Sequence, residues 1–226
     1  MPHTATLIAL TPLHARTGGA NAARAGAIGR CMPDEEAPPA LEVVGHGHPA
    51  RVSIERFISG CFFRSYGAVI RHFADTLLGV RGADGQWLAA LGYSLPVARP
   101  HVFVEQYLDL PLEAALSAVL REPVERVSLA EVGNMAATSA GMGRQLIALA
   151  TRHLYARGLD FVVFTATRAL ANSFVRLGIA IHPVAPADPA RLREGADGWG
   201  SYYRNNPTVM VGRIVSGLHT VGEQAA

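Results

Sequence analysis

The residues best suited to binding chemistry form a glycine turn, Gly141-Met142-Gly143, between an apolar run and a helical pattern. A glycine turn at the start of a helix presents free backbone N–H groups at the positive helix end, which suits a phosphate. Leu146 occupies the place of the third glycine of a dinucleotide-binding motif, and no Lys-Ser/Thr pair follows as in a Walker loop. By itself, the turn is as typical of a plain helix start as of a phosphate site.

The turn belongs to a predicted strand–helix–strand unit followed by one more helix. Residues 127–135 (VSLAEVGNM) form a mostly apolar run, and the helix after the turn extends to about Ala156. The next strand is predicted at 161–167 (FVVFTAT), and a helix over 170–177 closes on Gly178. The first three elements make a βαβ unit, whose crossover should be right-handed.

Composition excludes several classes of protein. The chain has 226 residues, of which 17% are charged, and its formal net charge is +2. It lacks the concentrated basic stripe of a nucleic-acid-binding protein, and it has no apolar run of the length needed for a membrane span. Residues 5–13 are weakly apolar, but no Lys or Arg precedes them as in a secretory signal. Two cysteines, Cys31 and Cys61, form neither a disulfide framework nor a metal-ligand pattern. We therefore expect a cytoplasmic protein without an integral membrane segment, a metal or a nucleic-acid partner.

The remaining patterns predict an α/β fold with a mixed β-sheet flanked by helices. Residues 1–40 are rich in Ala, Gly and Pro, which predicts a flexible N-terminal segment with a weak strand signal at 7–9. Residues 41–226 are predicted to form a single domain. Strands are expected at 41–44, 76–81, 86–95 and 208–214, and helices at 51–66 and 111–120.

The arrangement around the glycine turn resembles the GNAT superfamily of N-acetyltransferases. Gly133 and Asn134 lie late in the strand before the turn, and a short helix ending at Gly178 follows the next strand. The resemblance implies that 138–144 is the loop for the pyrophosphate of acyl-CoA, and that pantetheine lies along 131–135 between two strands that spread apart. The residues that it assigns to donor binding are Met135, Thr138, Ser139, Gly141, Gly143, Arg144 and Asn172.

A closer resemblance, to the thermostable hemolysin family, covers about residues 50–214. Its motifs are 104–109 (VEQYLD), 131–136 (EVGNMA), 161–167 (FVVFTAT), 172–178 (NSFVRLG) and 199–203 (WGSYY). The family is grouped with the acetyltransferase-like fold, near the acyl-homoserine-lactone synthases. Those synthases use acyl carrier protein and S-adenosylmethionine, and they place a glutamate on the fourth strand beside the reacting centre. The resemblance implies that Glu131 is the counterpart.

Two positions depart from the acetyltransferase pattern. Thr138 stands where Gln or Arg usually begins the pyrophosphate loop, and Phe174 stands where a tyrosine often acts as the general acid. Tyr202, Tyr203 or water would then have to protonate the departing thiolate. An acyl-carrier-protein donor would relax the first constraint, because it offers no 3′-phospho-ADP.

Acyl transfer to an amine requires a base and donors for an oxyanion. Backbone N–H groups of a splayed strand around 133–135 can hold the oxyanion, and Glu131 or Glu105 can take the proton of the ammonium. An equally weighted alternative for Glu131 is a structural carboxylate that accepts backbone hydrogen bonds. Asn134 orients the acceptor or caps the loop, while Glu105 and Asp109 are alternatives for binding the amine. For Tyr202 and Tyr203, core packing competes with substrate binding.

The leading hypothesis is an N-acyltransferase that moves an acyl group from acyl-CoA or acyl carrier protein to a small amine, such as an amino acid or S-adenosylmethionine. An alternative takes the family name literally, as a membrane-damaging protein. The absence of a signal segment, a spanning run and a strongly cationic amphipathic helix argues against it. A further alternative is a non-catalytic module that binds acyl thioesters.

Overall fold

The structure, a computed structural model, describes residues 8–10 and 40–223 of the chain. The flexible segment predicted at 1–40 lies outside the described residues, apart from residue 40 and a strand at Ile8–Leu10 that is close to the weak signal at 7–9. No helix in the described part is both long and apolar enough to cross a membrane.

Strands and helices alternate along the described chain. The strands are β1 (Ile8–Leu10), β2 (Leu41–Val44), β3 (Thr76–Arg81), β4 (Trp87–Ser94), β5 (Leu129–Ala137), β6 (Phe161–Ala166), β7 (Ile181–Pro186) and β8 (Thr208–Arg213). The α-helices are α1 (Arg51–Tyr66), α2 (Leu112–Leu120), α3 (Ala140–Ala156), α4 (Arg168–Arg176) and α5 (Ile214–Glu223).

Most predicted elements form within two residues of their expected bounds, the start of β5 is displaced, and two helices form where none was predicted. β5 begins at Leu129 rather than at Val127, because Arg126–Ser128 forms a 3-10 turn. Residues 102–109 contain a 3-10 helix, Phe103–Tyr107. The chain continues after β8 into α5, which carries Gly217 and Gly222 and so gives a weak helical signal in the sequence.

The strands form one mixed sheet in the order β2-β3-β4-β5-β6-β8-β7. β5 and β6 are parallel and are joined through α3, whereas the other pairs along this order are antiparallel. β1 lies off this order and pairs with β5 in parallel. The predicted fold class, an α/β mixed sheet flanked by helices, is confirmed.

The sheet is covered on both faces, and a separate apolar core lies on each. One core packs α1, α2 and the 3-10 helix Phe103–Tyr107 against the sheet. The other packs α3 and α4 on the opposite face. α3 buries Leu146, Ile147, Ala150 and Leu154, whose spacing of three to four residues forms one apolar stripe. β5 lies between the two cores and carries side chains to both.

Candidate active site

The central irregularity of the sheet is a β-bulge in β5. Gly92 of β4 pairs with Gly133, and Ala90 pairs with Ala136, so one residue of β4 faces two residues of β5, Asn134 and Met135. Asn134 has a φ of 52°, in the left-handed region that asparagine tolerates better than most residues. Bulges of this kind often occur beside active sites, where they redirect a side chain.

The side chain of Asn134 fixes the loop after α1. Its Oδ1 accepts a hydrogen bond from Ala74 N at 2.9 Å, and its Nδ2 donates to His72 O at 3.4 Å. The loop approaches β4 so closely that a Cβ on Gly92 would lie 2.6 Å from the Cβ of Ala74. Asn134 is completely buried, so the bulge and the loop hold each other in place.

Glu131 occupies the same face of the sheet. Its two carboxylate oxygens accept hydrogen bonds from Phe103 N at 3.1 Å and from Val104 N at 2.7 Å, the first residues of the 3-10 helix. The side chain is therefore anchored as the sequence-based structural alternative requires, and only 3% of the residue is exposed. A catalytic role for Glu131 or Asn134 stays a prediction.

β5 and β6 separate soon after they begin to pair. β6 continues to Ala166, but their pairing covers only residues 129–131 of β5. β1 pairs with residues 135–137 of β5, and it must use the same edge as β6, because β4 already pairs with residues 136 and 137. The ladders of β6 and β1 thus leave residues 132–134 between them, at the mouth of an opening in the sheet.

The start of α3 faces a basic pocket. Ser139 caps the helix, and its Oγ accepts a hydrogen bond from Met142 N at 3.2 Å. The pocket beside this end is lined by Met135, Ala140, Gly143, Arg144, Ser173 and Arg176, among others, and no acidic residue lines it. Two guanidinium groups and the positive end of a helix dipole make this pocket suitable for an anion.

Three residues that the sequence assigned to donor binding do not line this pocket. Thr138 donates from its N and its Oγ1 to Leu88 O, at 2.9 and 3.1 Å, so its side chain is tied to β4. Gly141 is exposed on the first turn of α3. Asn172 is exposed on α4 and does not line the pocket, whereas Ser173 and Arg176 of the same helix do. Their part in donor binding stays a prediction.

An apolar cavity continues from the basic pocket into the opening between β5 and β6. Met135 and Ile147 line both spaces. Val132, Val162, Phe164 and Phe174 form further walls of the cavity, and the rings of Phe164 and Phe174 pack with centroids 5.1 Å apart. Phe174 therefore contributes apolar surface at the place where the sequence comparison expected a tyrosine hydroxyl.

The opposite face of the sheet carries a polar cleft of about 260 Å³. Arg71 and His72 from the loop after α1 form one wall, and Glu194, Asp197 and Trp199 from the β7–β8 connection form the other. A smaller cavity beside it is lined by His72, Trp199, Phe103, Gln106, Arg193 and Glu194, among others. The inner walls of these spaces are the segments that hydrogen-bond to Glu131 and Asn134.

Glu105 and Asp109 do not line the cleft. Burial opposes ionisation of Glu105, but Arg126 and Val102 N–H outweigh it and hold the pKa of this carboxyl below its usual range. The side chain of Asp109 is 87% exposed and pairs with Arg191. Each of these two carboxylates is therefore engaged by an arginine outside the cleft, and their assigned roles stay predictions.

Tyr202 and Tyr203 belong to an aromatic cluster behind the cleft. Tyr202 is buried, donates a hydrogen bond to Thr165 Oγ1 at 3.4 Å, and packs against Trp199. The hydroxyl of Tyr203 lies 2.6 Å from that of Tyr107. Burial raises the pKa of Tyr203 to about 12, although its hydrogen bond with Tyr107 acts in the opposite direction. Direct contact of either tyrosine with a substrate stays a prediction.

Sequence reasoning missed Ser173 and Arg176 in the basic pocket and Arg71, His72, Glu194 and Asp197 in the cleft. The spacing of Ser173 and Arg176, three residues apart on a predicted helix, places them on one face and could have identified them. The cleft residues come from two connections far apart in the chain, and no local pattern joins them. No cluster of three His, Cys, Asp or Glu suited to a metal occurs among the described residues.

Comparison with known proteins establishes the family. The model of the family described as thermostable hemolysin matches residues 44–218, so this chain belongs to that family. No curated protein sequence matches the chain closely enough to show a relationship.

Solved structures of two synthases, BjaI and FeeM, and of TofI share the fold. BjaI, a CoA-dependent acyl-homoserine lactone synthase solved with SAM and isopentyl-CoA, has a TM-score of 0.56 and 15% identity, with 82% of this chain and 89% of that chain covered. TofI in an apo form has a TM-score of 0.55 and 18% identity, covering 81% and 96%. FeeM, an N-acyl amino acid synthase from uncultured soil microbes, has a TM-score of 0.53 and 11% identity, covering 80% and 98%.

Proposed function

We propose that this protein is an acyltransferase that moves an acyl group from a thioester donor, acyl-CoA or acyl carrier protein, to a small amine. The observation that carries the proposal is the opening between β5 and β6, where a basic pocket joins an apolar cavity. A phosphopantetheine thioester has the same order of parts: phosphate, extended arm and acyl chain. BjaI and FeeM, which share the fold, are named as acyl-homoserine lactone and N-acyl amino acid synthases.

The basic pocket would hold the phosphate end of the donor. Arg144 and Arg176 supply positive charge, and the first turn of α3 supplies backbone N–H groups. Ser139 Oγ already accepts from Met142 N, so the donors left for a ligand are those nearer the helix start, at Ala140 and Gly141. Arg176 would supply the positive charge that an arginine at position 138 would otherwise provide.

The arm of the donor would run along the edge of β5 toward the bulge, and the acyl chain would occupy the apolar cavity against Phe174. The bulge turns the backbone at Gly133 to Met135 out of the regular ladder with β4. Backbone N–H groups freed in this way can stabilise the oxyanion that develops on the thioester oxygen. The donor would thus cross the sheet from the α3 face to the reacting centre at β5.

In the reaction, the neutral amine attacks the thioester carbonyl carbon. A C–N bond forms, the attacking nitrogen releases one proton to solvent and the C–S bond breaks, which gives an amide and a thiolate. The ammonium gives up its proton before attack, and Glu131, on β5 beside the bulge, is the candidate to accept it, directly or through water. Phe174 has no ionisable proton and Tyr203, with a pKa of about 12, is a weak acid, so the thiolate takes its proton from solvent.

The test is a thiol-release assay with acyl-CoA donors of increasing chain length and a panel of small amines, with the amide identified by mass spectrometry. We expect amine-dependent release of free thiol. The absence of thiol release with every donor, together with no donor binding by calorimetry, would overturn the proposal.

Two other outcomes identify the alternatives. Donor binding without thiol release, with acyl-CoA and with acylated carrier protein, would mark the protein as a binding module. Dye leakage from protein-free lipid vesicles, at protein concentrations that give no thiol release, would support direct membrane damage instead.

A further inference from the structure

The polar cleft on the α1 face of the sheet has a charge pattern that the proposed chemistry does not yet use. Arg71 stands on one wall and Asp197 on the other. Within residues 40–223, neither side chain takes part in a salt bridge or a side-chain hydrogen bond. His72 Nε2 lies 3.3 Å from Glu194 Oε2 across the cleft, so these two groups are already engaged with each other. One cation and one carboxylate are left to meet a ligand.

The inner end of the cleft is lined by aromatic rings. Trp199 lines both the cleft and the smaller cavity beside it, and its ring lies 5.8 Å from that of Phe103. These rings offer an apolar surface to a side chain. The charged rim and the aromatic interior together resemble a site for a small amphipathic molecule more closely than a site for a long chain.

The cleft is connected to β5 by hydrogen bonds in its own walls. His72 O accepts from Asn134 Nδ2, and Phe103 N donates to Glu131 Oε2. A ligand whose amine reaches past His72 and Phe103 therefore arrives at β5 from the face opposite to the donor cavity. Two substrates that approach one bulge from opposite faces do not compete for space.

We infer that this cleft is the acceptor site and that it selects an α-amino acid, with Arg71 binding the α-carboxylate while the amine points inward to β5. The inference rests on the proposed acyltransferase function and adds the acceptor class to it. An arginine fork suits a carboxylate because both N–H donors can bind its two oxygens at once. Free amino acids and S-adenosylmethionine share this α-amino-carboxylate group.

The rim also predicts which amino acids are accepted. The wall formed by the β7–β8 connection carries two carboxylates, Asp197 and Glu194. Acceptors with neutral or cationic side chains meet Asp197 favourably, whereas aspartate and glutamate place a second carboxylate against it. Aromatic side chains gain contact with Trp199. The acceptor class is therefore a neutral or basic α-amino acid.

The experiment compares each amino acid with the amine that lacks its carboxylate, such as phenylalanine with phenethylamine and leucine with 3-methylbutylamine. In the unsubstituted protein, kcat/KM should be about two- to fivefold higher for the amino acid, as expected for one exposed arginine–carboxylate contact. Arg71→Ala should remove most of this preference by lowering kcat/KM for the amino acid alone. Arg56→Ala, which removes an exposed arginine of α1 outside the cleft, should leave the preference unchanged.

A second variant tests the other wall. Asp197→Asn should lower the ratio of kcat/KM for arginine to that for glutamate by about threefold, as expected for a screened surface charge. S-adenosylmethionine is assayed beside the free amino acids, and a dependence on Arg71 is expected for whichever is used. Calorimetric titration with the preferred amino acid should show weaker binding to the Arg71→Ala variant without any turnover.

The failure of this inference differs from the failure of the proposed function. Equal use of phenylalanine and phenethylamine, or an equal loss of both in the Arg71→Ala variant, would overturn the assignment while acyl transfer stands. Absence of thiol release with every amine would instead overturn the proposed function.

Discussion

The two faces of β5 offer different surfaces to the two substrates proposed here. On the α3 face, Val132 and Met135 line an apolar cavity, and arginines occur only at its mouth. On the α1 face, Glu131 and Asn134 are buried polar residues that hold the walls of a charged cleft. The first face suits a thioester with an acyl chain, and the second suits a small polar acceptor. Five consecutive residues of β5, 131–135, therefore contribute to an apolar cavity on one face of the sheet and to a polar cleft on the other.

The bulge is what produces this separation. In a regular strand, residues 131 and 134 would point to opposite faces, because successive side chains alternate. The extra residue at Asn134/Met135 shifts the alternation by one, so that Glu131 and Asn134 share the α1 face while Val132, Met135 and Ala137 share the α3 face. Without the bulge, a buried asparagine would enter the apolar donor cavity.

The largest effect is expected from Glu131→Gln, which tests whether the α1 face supplies the base. We expect kcat to fall about a thousandfold, within the usual range for loss of a general base. The free energy of unfolding should fall by about 2 kcal/mol, because the amide oxygen accepts from only one of the two buried backbone N–H groups and the amide nitrogen faces the other. Steady-state thiol release and urea denaturation measure the two quantities.

Glu105→Gln provides the comparison, since the sequence nominates both carboxylates. Glu105 is held by Arg126 and Val102 N outside the cleft, so its substitution should affect stability more than kcat. If Glu131→Gln retains full kcat while Glu105→Gln does not, the base lies away from β5, and Glu131 serves only to anchor the 3-10 helix.

The next largest effect is expected from Asn134→Ala, which removes the link between the bulge in β5 and the loop after α1. Alanine at a φ of 52° is strained by about 1 kcal/mol or more, and the hydrogen bonds to Ala74 N and His72 O are lost. We expect the free energy of unfolding to fall by about 2–3 kcal/mol. Asn134→Gly, which tolerates the same φ, should recover the backbone part of this loss. Equal losses in both variants would show that backbone strain contributes nothing.

This bulge also marks the limit of what could be predicted from the sequence. The order of the elements and the mixed sheet followed from apolar periodicity and turn residues, and α1, the β3–β4 hairpin, α3 and β6 formed where expected. The face of the sheet on which the Asn134 side chain lies could not be predicted from the sequence, because strict alternation gives the wrong face once one residue is inserted. Arg71 and Asp197 line the same cleft only because two loops, more than one hundred residues apart in the chain, pack together.

A smaller effect is expected on the α3 face from Arg176→Ala. If Arg176 binds a phosphate of the donor, KM for acyl-CoA should rise about tenfold, with a weaker dependence on salt, while KM for the corresponding acyl-pantetheine, which has no phosphate, should not change. Arg152→Ala, which removes an exposed arginine of α3 that does not line the pocket, serves as the matched control. An equal rise for both donors would place the role of Arg176 in folding rather than in phosphate binding. KM for the amine acceptor should not change in the Arg176→Ala variant, since the acceptor cleft is on the other face.

The smallest effect concerns the edge of β5 rather than its faces. β1 pairs with residues 135–137, on the edge along which the donor arm is expected to run, so strand pairing and donor entry compete. Ala9→Pro removes a backbone N–H at the centre of β1 and disfavours the pairing. If β1 occupies the edge for about two thirds of the time, its release should lower the apparent KM for the donor about threefold and leave KM for the amine unchanged. Ala20→Pro, outside β1, is the control. A higher donor KM in the Ala9→Pro variant would show instead that β1 forms part of the donor site, and the opening between β5 and β6 would then be a channel bounded by three strands.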